Sequence, residues 1–281
     1  MYYGLINTMK RGAGSSYYLD AFGTPVVWYE MVKRFSTYSG ACIRVRRSSD
    51  NAEQDINFVN DLLDTASLLL FVGAGNGFVT TLYNQVGTKN VTNATATQQP
   101  QIVSSGALIT RNGFVSIKYD GTNDNLLNTT SAFINTTNVS YFSISQCDVV
   151  GGIGVIHNQA QSTNITIRTF CDRRVDKRNL VVSSDSGNYF SDMSTQRDNS
   201  NLRLLSSFIN TSKNISEFDN GVTGGTSTYI GTSNNDCLQL GQQYNASWLN
   251  GAINCFGAYN TDNSANRVAI ETILNNYYNI Y

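Results

Sequence analysis

The sequence predicts an all-β protein, an antiparallel β-sandwich with short peripheral helices and a C-terminal helix. Three observations predict it. From residue 78 onward, short runs of β-branched and aromatic residues are separated by Gly, Asn, Asp and Ser, the pattern of many antiparallel strands joined by tight turns. Hydrophobic residues make up 41% of the 281 residues, which is enough apolar area for one large core. Only two prolines occur, so few strands are confined to sheet edges on their account.

Taken in chain order, residues 1–23 are rich in Gly, Ser and Tyr, and Lys10 to Ser16 is too polar and flexible for a core element. An N-terminal arm is expected there, followed by a single sandwich domain over 24–281. Thr24-Pro25 has the form of an N-cap followed by proline at the first helical position, and Trp28, Val32 and Phe35 then share one face, predicting a short helix. A second helix is expected over Asp61 to Val72, closed by the glycines from Gly73 to Gly77. Asn90 to Gln99, low in complexity, reads as an exposed loop.

Strands follow. Val115, Ile117 and Tyr119 alternate with polar residues over Phe114 to Tyr119, and Phe142 and Ile144 share a face over Val139 to Ser145. Others are expected at Gly154 to Ile156, Asn164 to Phe170, Leu180 to Ser183, Leu202 to Ile209, Thr228 to Gly231, Cys237 to Leu240 and Ala252 to Tyr259. From Ser264 or Asn266, the spacing of Ile270, Ile273, Leu274 and Tyr277 predicts a terminal helix packed onto the sandwich.

Composition narrows the function. Charged residues are only 14% and the net charge is -1, so no long-range field draws nucleic acid or an anionic membrane, and neither is expected as a partner. Carboxylates accompany the basic runs Arg44 to Arg47 and Arg173 to Arg178, which points to ion pairing. Arg44, Arg46, Asp50, Glu53 and Asp55 are expected to pair with one another and pin a long segment without strands against the sandwich. Cys42, Cys147, Cys171, Cys237 and Cys255 are widely spaced, with no CxxC and one histidine. That excludes a zinc site and predicts mostly free thiols in a reducing cytosol. No metal and no cofactor are expected. The start lacks a signal-peptide pattern and no window is apolar enough to span a membrane, so synthesis without secretion or insertion is the expectation. Nine Asn-X-Ser/Thr sequons are then best explained by the abundance of Asn and Thr.

Two stretches carry a resemblance. Tyr38 to Ile56, Leu63-Asp64-Thr65-Ala66 and Phe78 to Gln85 resemble the catalytic sandwich of α-L-arabinofuranosidases, and especially the versions of that domain carried by phage virion proteins, which implies a concanavalin A-like antiparallel β-sandwich (jelly roll). Tyr119-Asp120-Gly121-Thr122-Asn123-Asp124-Asn125-Leu126 and Leu249 to Asn260 are similar to laminin G-like sandwiches. The resemblance implies a protein made in the host cytoplasm and placed on the virion surface as a spike, head fibre or receptor-binding module. It further implies an arm contacting other virion proteins, a homo-oligomer, trimeric as phage fibres are, and host-surface glycan as ligand. Gln242, Gln243, Tyr244 and Trp248 stand where the enzymes keep part of their pocket, and they are the candidate carbohydrate-binding residues.

Catalysis is not expected from the resemblance. The family's nucleophile segment carries adjacent cysteines and a glutamate, whereas Phe170 to Phe190 holds Cys171 and no glutamate. The family's acid/base Asp follows a Gly pair where this chain reads Leu240-Gly241-Gln242-Gln243-Tyr244-Asn245, and Asn84 replaces a usual Asp. The expectation is therefore a binding protein without catalytic residues. The alternatives are an architectural decoration protein, or a glycoside hydrolase with displaced carboxylates such as Asp236 with Asp185 or Asp192. His157 reads as a strand-end residue, and Asp120 and Asp124 fit a tight turn as well as a metal site.

Overall fold

The computed structural model describes residues 17–130, 133–148, 153–159, 167–172, 178–184, 187–192, 201–232, 237–243 and 247–281, with backbone alone at 153, in the strands between 167 and 192, and at 243. Its longest strand, Asn250–Tyr259, organises one sheet. The main strands are β1 Val27–Glu30, β2 Ile43–Arg47, β3 Glu53–Ile56, β4 Gly77–Leu82, β5 Val91–Thr92, β6 Gln101–Ser104, β7 Ile117–Asp120, β8 Leu126–Asn128 and β9 Val139–Cys147. They continue as β10 Ile153–Asn158, β11 Ile167–Asp172, β12 Arg178–Ser184, β13 Gly187–Asp192, β14 Arg203–Ile209, β15 Asn214–Asp219, β16 Val222–Thr228, β17 Leu238–Leu240 and β18 Asn250–Tyr259.

Every pairing among them is antiparallel. The first sheet runs β16-β15-β14-β9-β18, and the far edge of β18 takes β7 along its first half and β1 along its second. The second runs β3-β2-β4-β5-β8-β17-β10-β11-β12-β13. β6 pairs with both β4 and β7 and so joins the two sheets. An antiparallel sandwich is what the strand-and-turn pattern predicted.

Two apolar clusters follow from the alternation of strand side chains. Tyr29, Tyr141 and Phe256 of the first sheet meet Val45, Val79, Leu126, Ile156 and Leu240 of the second in the inter-sheet core. Trp28, Phe142, Phe208 and Tyr259 point to the opposite face of the first sheet, where they form a second cluster with Ile270, Leu274 and Tyr278. Those last three belong to α2, Arg267–Tyr278, so the predicted terminal helix covers the outer face of the first sheet. β9 is buried along its whole length because both of its faces are covered. Trp28 lies across Gly257, its partner in the β1–β18 ladder, and a Cβ there would stand 2.1 Å from the indole.

The structure corrects four local expectations. The helix expected after Thr24-Pro25 is instead β1, because Trp28 and Tyr29 must face opposite clusters, which a strand allows and a helix does not. The segment expected to lack strands around Arg44 and Glu53 is the hairpin β2–β3, with Arg44 opposite Asp55 and Arg46 opposite Glu53. The strand expected at Thr228 to Gly231 ends at Thr228 and begins at Val222, leaving Tyr229 buried with its hydroxyl donating to the Thr136 carbonyl at 2.9 Å. Within the expected exposed loop, Val91 and Gln99 are buried, and β5 pairs with β4 and β8.

The second predicted helix is α1, Thr65–Val72. It starts later than expected because Leu62–Leu63 pairs with Phe58–Val59. Asp64 caps it, accepting from the Ser67 backbone N–H at 3.0 Å and the Ser67 hydroxyl at 2.6 Å. Those bonds hold the Asp64 carboxyl below its usual range. Residues 17 to 22, within the expected arm, lie against the body. Leu19 is fully buried, its N–H donates to the Arg34 carbonyl at 2.7 Å, and Tyr17 meets Tyr277 edge to face. Residues 1–16 and 173–177, which hold the rest of the arm and most of the second basic run, are outside the described residues. Cys42, Cys237 and Cys255 are free and buried, and Cys147 is disulfide-bonded.

Candidate carbohydrate site

The charged cluster at Arg44 to Asp55 is a surface brace. Arg44 reaches Glu53 at 2.7 Å and Asp55 at 3.0 Å across the β2–β3 ladder, and Tyr83 donates to Asp55 at 2.8 Å. Asp50 pairs at 2.7 Å with Arg47, a residue outside the expected set. Arg46 differs from the expectation. It is buried, bonds Gln99, Asn51 and the Ala96 carbonyl, and lies over the Phe78 ring, touching no carboxylate. Because the Arg44 pairs are more than a third exposed on both sides, Arg44→Ala is expected to cost at most about 1 kcal/mol in urea denaturation. Arg46→Ala, which orphans buried amides, costs more.

His157 is fully buried between the rings of Tyr141 and Phe256, at centroid distances of 4.8 and 4.6 Å. Burial lowers its pKa to about 3, so the ring is neutral at physiological pH and packs as a core aromatic.

Four parts of the chain converge at one end of the sandwich. β7 ends at Asp120 opposite Asn250 of β18. The turn from Gly121 to Asn125 leads into β8, which pairs Leu126 with Leu240 of β17. Gln242 and Gln243 form a hairpin with Ser247 and Trp248, pairing Gln242 with Trp248. The hairpin is anchored at Gly241, whose N–H donates to the Ile156 carbonyl at 3.0 Å and whose carbonyl accepts from Leu249 N–H at 2.8 Å.

Gly241 cannot be replaced freely. Its φ is +82° and a Cβ would come within 2.2 Å of the Tyr119 ring. Gly241→Ala is therefore expected to destabilise by about 2 kcal/mol or more, from left-handed strain plus overpacking, measured as a lowered thermal midpoint.

Of the predicted sugar-binding residues, the structure brings Gln242 and Trp248 together. Gln242 is buried and Trp248 half-buried. The side chain of Gln243 and all of Tyr244 lie outside the described residues, as do Asp185, Asp236 and the side chain of Asp192.

The chemistry of this end is carried by the Asp120–Asp124 turn. Asp120 Oδ1 accepts from the N–H groups of Thr122 and Asn123 at 2.7 and 3.2 Å, and Asp124 Oδ2 accepts from Asp120 N–H at 2.9 Å. These bonds give the turn its shape and leave one oxygen of each carboxyl outside them. Asp120 is exposed and Asp124 is 7% exposed. Burial, and secondarily the charge of Asp120, push the Asp124 carboxyl up to about 7. A carboxyl that still holds its proton near neutrality, beside a second carboxyl, is the asymmetry needed for acid-assisted bond cleavage. Sequence reasoning passed over Asp124 because the turn accounts for it. The signal was the second aspartate, four residues after Asp120 in a stretch with a single strand-turn register.

No protein-family model and no curated protein matches the sequence. Solved structures do. The chain superposes on a GH54 α-L-arabinofuranosidase soaked with a cyclic sulfate inhibitor with a TM-score of 0.68 and 12% identity, over 92% of this chain and 64% of that one. An arabinofuranosidase complexed with arabinofuranosyl-α-1,2-xylobiose gives 0.63 and 14%, over 91% and 63%.

The fold is similar to an arabinofuranosidase sandwich. The chain spans about 64% of the length of that enzyme. This likeness overturns the expectation that the chain is not an enzyme. That expectation placed the family's carboxylates by local sequence, and at 12–14% identity local sequence does not locate a side chain in space.

Proposed function

We propose that the protein is a glycoside hydrolase of arabinofuranosidase type, with Asp124 as the proton donor to the departing sugar oxygen. The observation that carries this reading is the Asp120–Asp124 turn, in which Asp124 is buried, accepts from Asp120 N–H and stands beside the exposed Asp120, burial pushing its carboxyl up to about 7. Glycoside hydrolysis pairs one protonated carboxyl with one ionised carboxylate. Gln242 and Trp248 support it by placing an amide and an indole at the same end of the sandwich, the groups that meet sugar hydroxyls and sugar ring faces.

Turnover of an aryl α-L-arabinofuranoside by the purified chain is the test, run with Asp124→Asn, Asp120→Asn and Asp236→Asn. Loss of turnover in the Asp124 variant supports the assignment. Turnover that survives there and disappears in Asp236→Asn assigns the acid to Asp236 and overturns the role of Asp124. No turnover of any aryl glycoside overturns the hydrolase. Location on a phage particle, contact with other virion proteins through residues 1–23, a trimeric assembly and host-surface glycan as ligand belong to the same proposal and rest on sequence resemblance. Mass spectrometry of purified particles tests the location.

A further inference from the structure

We propose a second carbohydrate-binding groove, for neutral glycan, on the outer face of the first sheet. The groove has a volume of about 610 Å³, within the ~300–1,000 Å³ range of small-molecule sites. α2 packs over Trp28 of β1, Phe142 of β9, Phe208 of β14, Phe218 of β15 and Tyr259 of β18, while Asn214 of β15 and Thr226 and Thr228 of β16 remain exposed. Side chains on β15 alternate, with Ile215 and Glu217 buried and Asn214 and Ser216 outward. Across the ladder, Asn214 faces Thr228 and Ser216 faces Thr226, so two amide or hydroxyl pairs stand two residues apart, about 6.6 Å.

That spacing is on the scale of one sugar unit. Asn214 Oδ1 accepts from the Thr228 hydroxyl at 2.6 Å, which orients the amide. The hydroxyls of Ser216 and Thr226 make no hydrogen bond within the described residues. Phe208 and Ile215 border the groove but are buried, so its accessible lining is polar, and Asp262 lines one side with Oδ1 accepting from Ser264 N–H at 3.1 Å. Among the described residues no lysine or arginine lines the groove. Hydroxyl, amide and carboxylate groups suit a polyhydroxylated neutral ligand, and the carboxylate repels phosphate or uronic acid. The groove shares no residue with the Asp124 end.

The experiment is electrophoresis through native gels with and without soluble arabinoxylan, branched arabinan or polygalacturonate, using the full chain, Ser216→Lys, Thr226→Arg and Asp124→Asn. Both groove positions are on the solvent side, and unchanged thermal midpoints check the fold. The expected result is retardation of the wild type by a neutral polysaccharide and not by polygalacturonate. Binding should weaken roughly tenfold or more in either groove variant and be retained in Asp124→Asn. Retardation undiminished in the groove variants, lost in Asp124→Asn alone, produced only by polygalacturonate, or absent throughout overturns the groove. Aryl-glycoside turnover is read separately, so failure of the hydrolase leaves this test intact.

Discussion

Glu30→Gln is expected to destabilise the protein by about 3–5 kcal/mol, the cost of leaving a buried charge without its partner. Glu30 and Arg34 form an ion pair at 2.5 Å with both side chains fully buried. Arg34 Nε donates to both Glu30 oxygens at 2.9 Å, and Trp28 Nε1 donates to Oε2 at 2.7 Å. Gln85 closes the cage, accepting from Arg34 N–H at 2.7 Å and donating to the Glu30 and Val32 carbonyls at 3.1 and 2.8 Å. The guanidinium also bonds the Tyr17 carbonyl at 3.2 Å and lies 5.5 Å from the Tyr277 ring centre. Burial opposes the Arg34 charge, but the charge and hydrogen bonds of Glu30 outweigh it and raise the pKa. One pair therefore ties β1, the loop after β4, the N-terminal residues and α2 together. Urea denaturation of Glu30→Gln, Arg34→Met and Glu30→Leu/Arg34→Met checks this. Both single variants should lose stability and the double variant should recover part of the loss. A cost below about 1 kcal/mol for either single change, the level of an exposed pair, sinks the argument.

Asp124→Asn is expected to lower glycoside turnover by about 10²–10⁴-fold, the usual contribution of a positioned proton donor. In the wild type, turnover should fall as pH rises through about 7, where Asp124 loses its proton. Stability follows the same group. The folded carboxyl sits near 7 and the ordinary value is 3.8, so the native state alone takes up this proton, and stability rises as pH falls from about 7 to about 4. His157 acts in the opposite sense. Its folded pKa is about 3 against an ordinary 6.5, so the unfolded ring is charged first and stability falls over that interval. The two contributions oppose each other in the wild type. Asparagine at 124 can keep the bond from Asp120 N–H while removing the titration, so the variant should lose thermal midpoint more steeply than the wild type between pH 7 and pH 4. Parallel pH curves for the two proteins, followed by differential scanning calorimetry, would contradict the placement of Asp124.

Much of the architecture was legible because it is written in local periodicity. The stripe Ile270, Ile273, Leu274 and Tyr277 announced α2, with Tyr278 completing its buried face. The alternation around Phe142 and Ile144 announced β9, and the glycines from Gly73 marked the end of α1, whose start moved from the expected Asp61 to Thr65. A short strand buried throughout gives periodicity little to work with. β1 is buried at all four positions, so Trp28 within it, with Val32 and Phe35 beyond its end, imitated a helical stripe. β2–β3 was obscured differently, because its exposed charges satisfy one another across a ladder, and ion pairing alone is equally compatible with a loop.

By itself, the sequence determined the antiparallel sandwich, the terminal helix and the polar, nearly neutral surface, since each depends on residue type and spacing within a few positions. Tertiary structure alone decided that Glu30 and Arg34 share one buried cage, that His157 is a neutral core ring and that Asp124 holds its proton to about 7. Those properties arise from burial by residues distant in sequence, such as Tyr277 against Arg34 and Phe256 beside His157. Burial is a property of the assembled chain, and no window of sequence contains it.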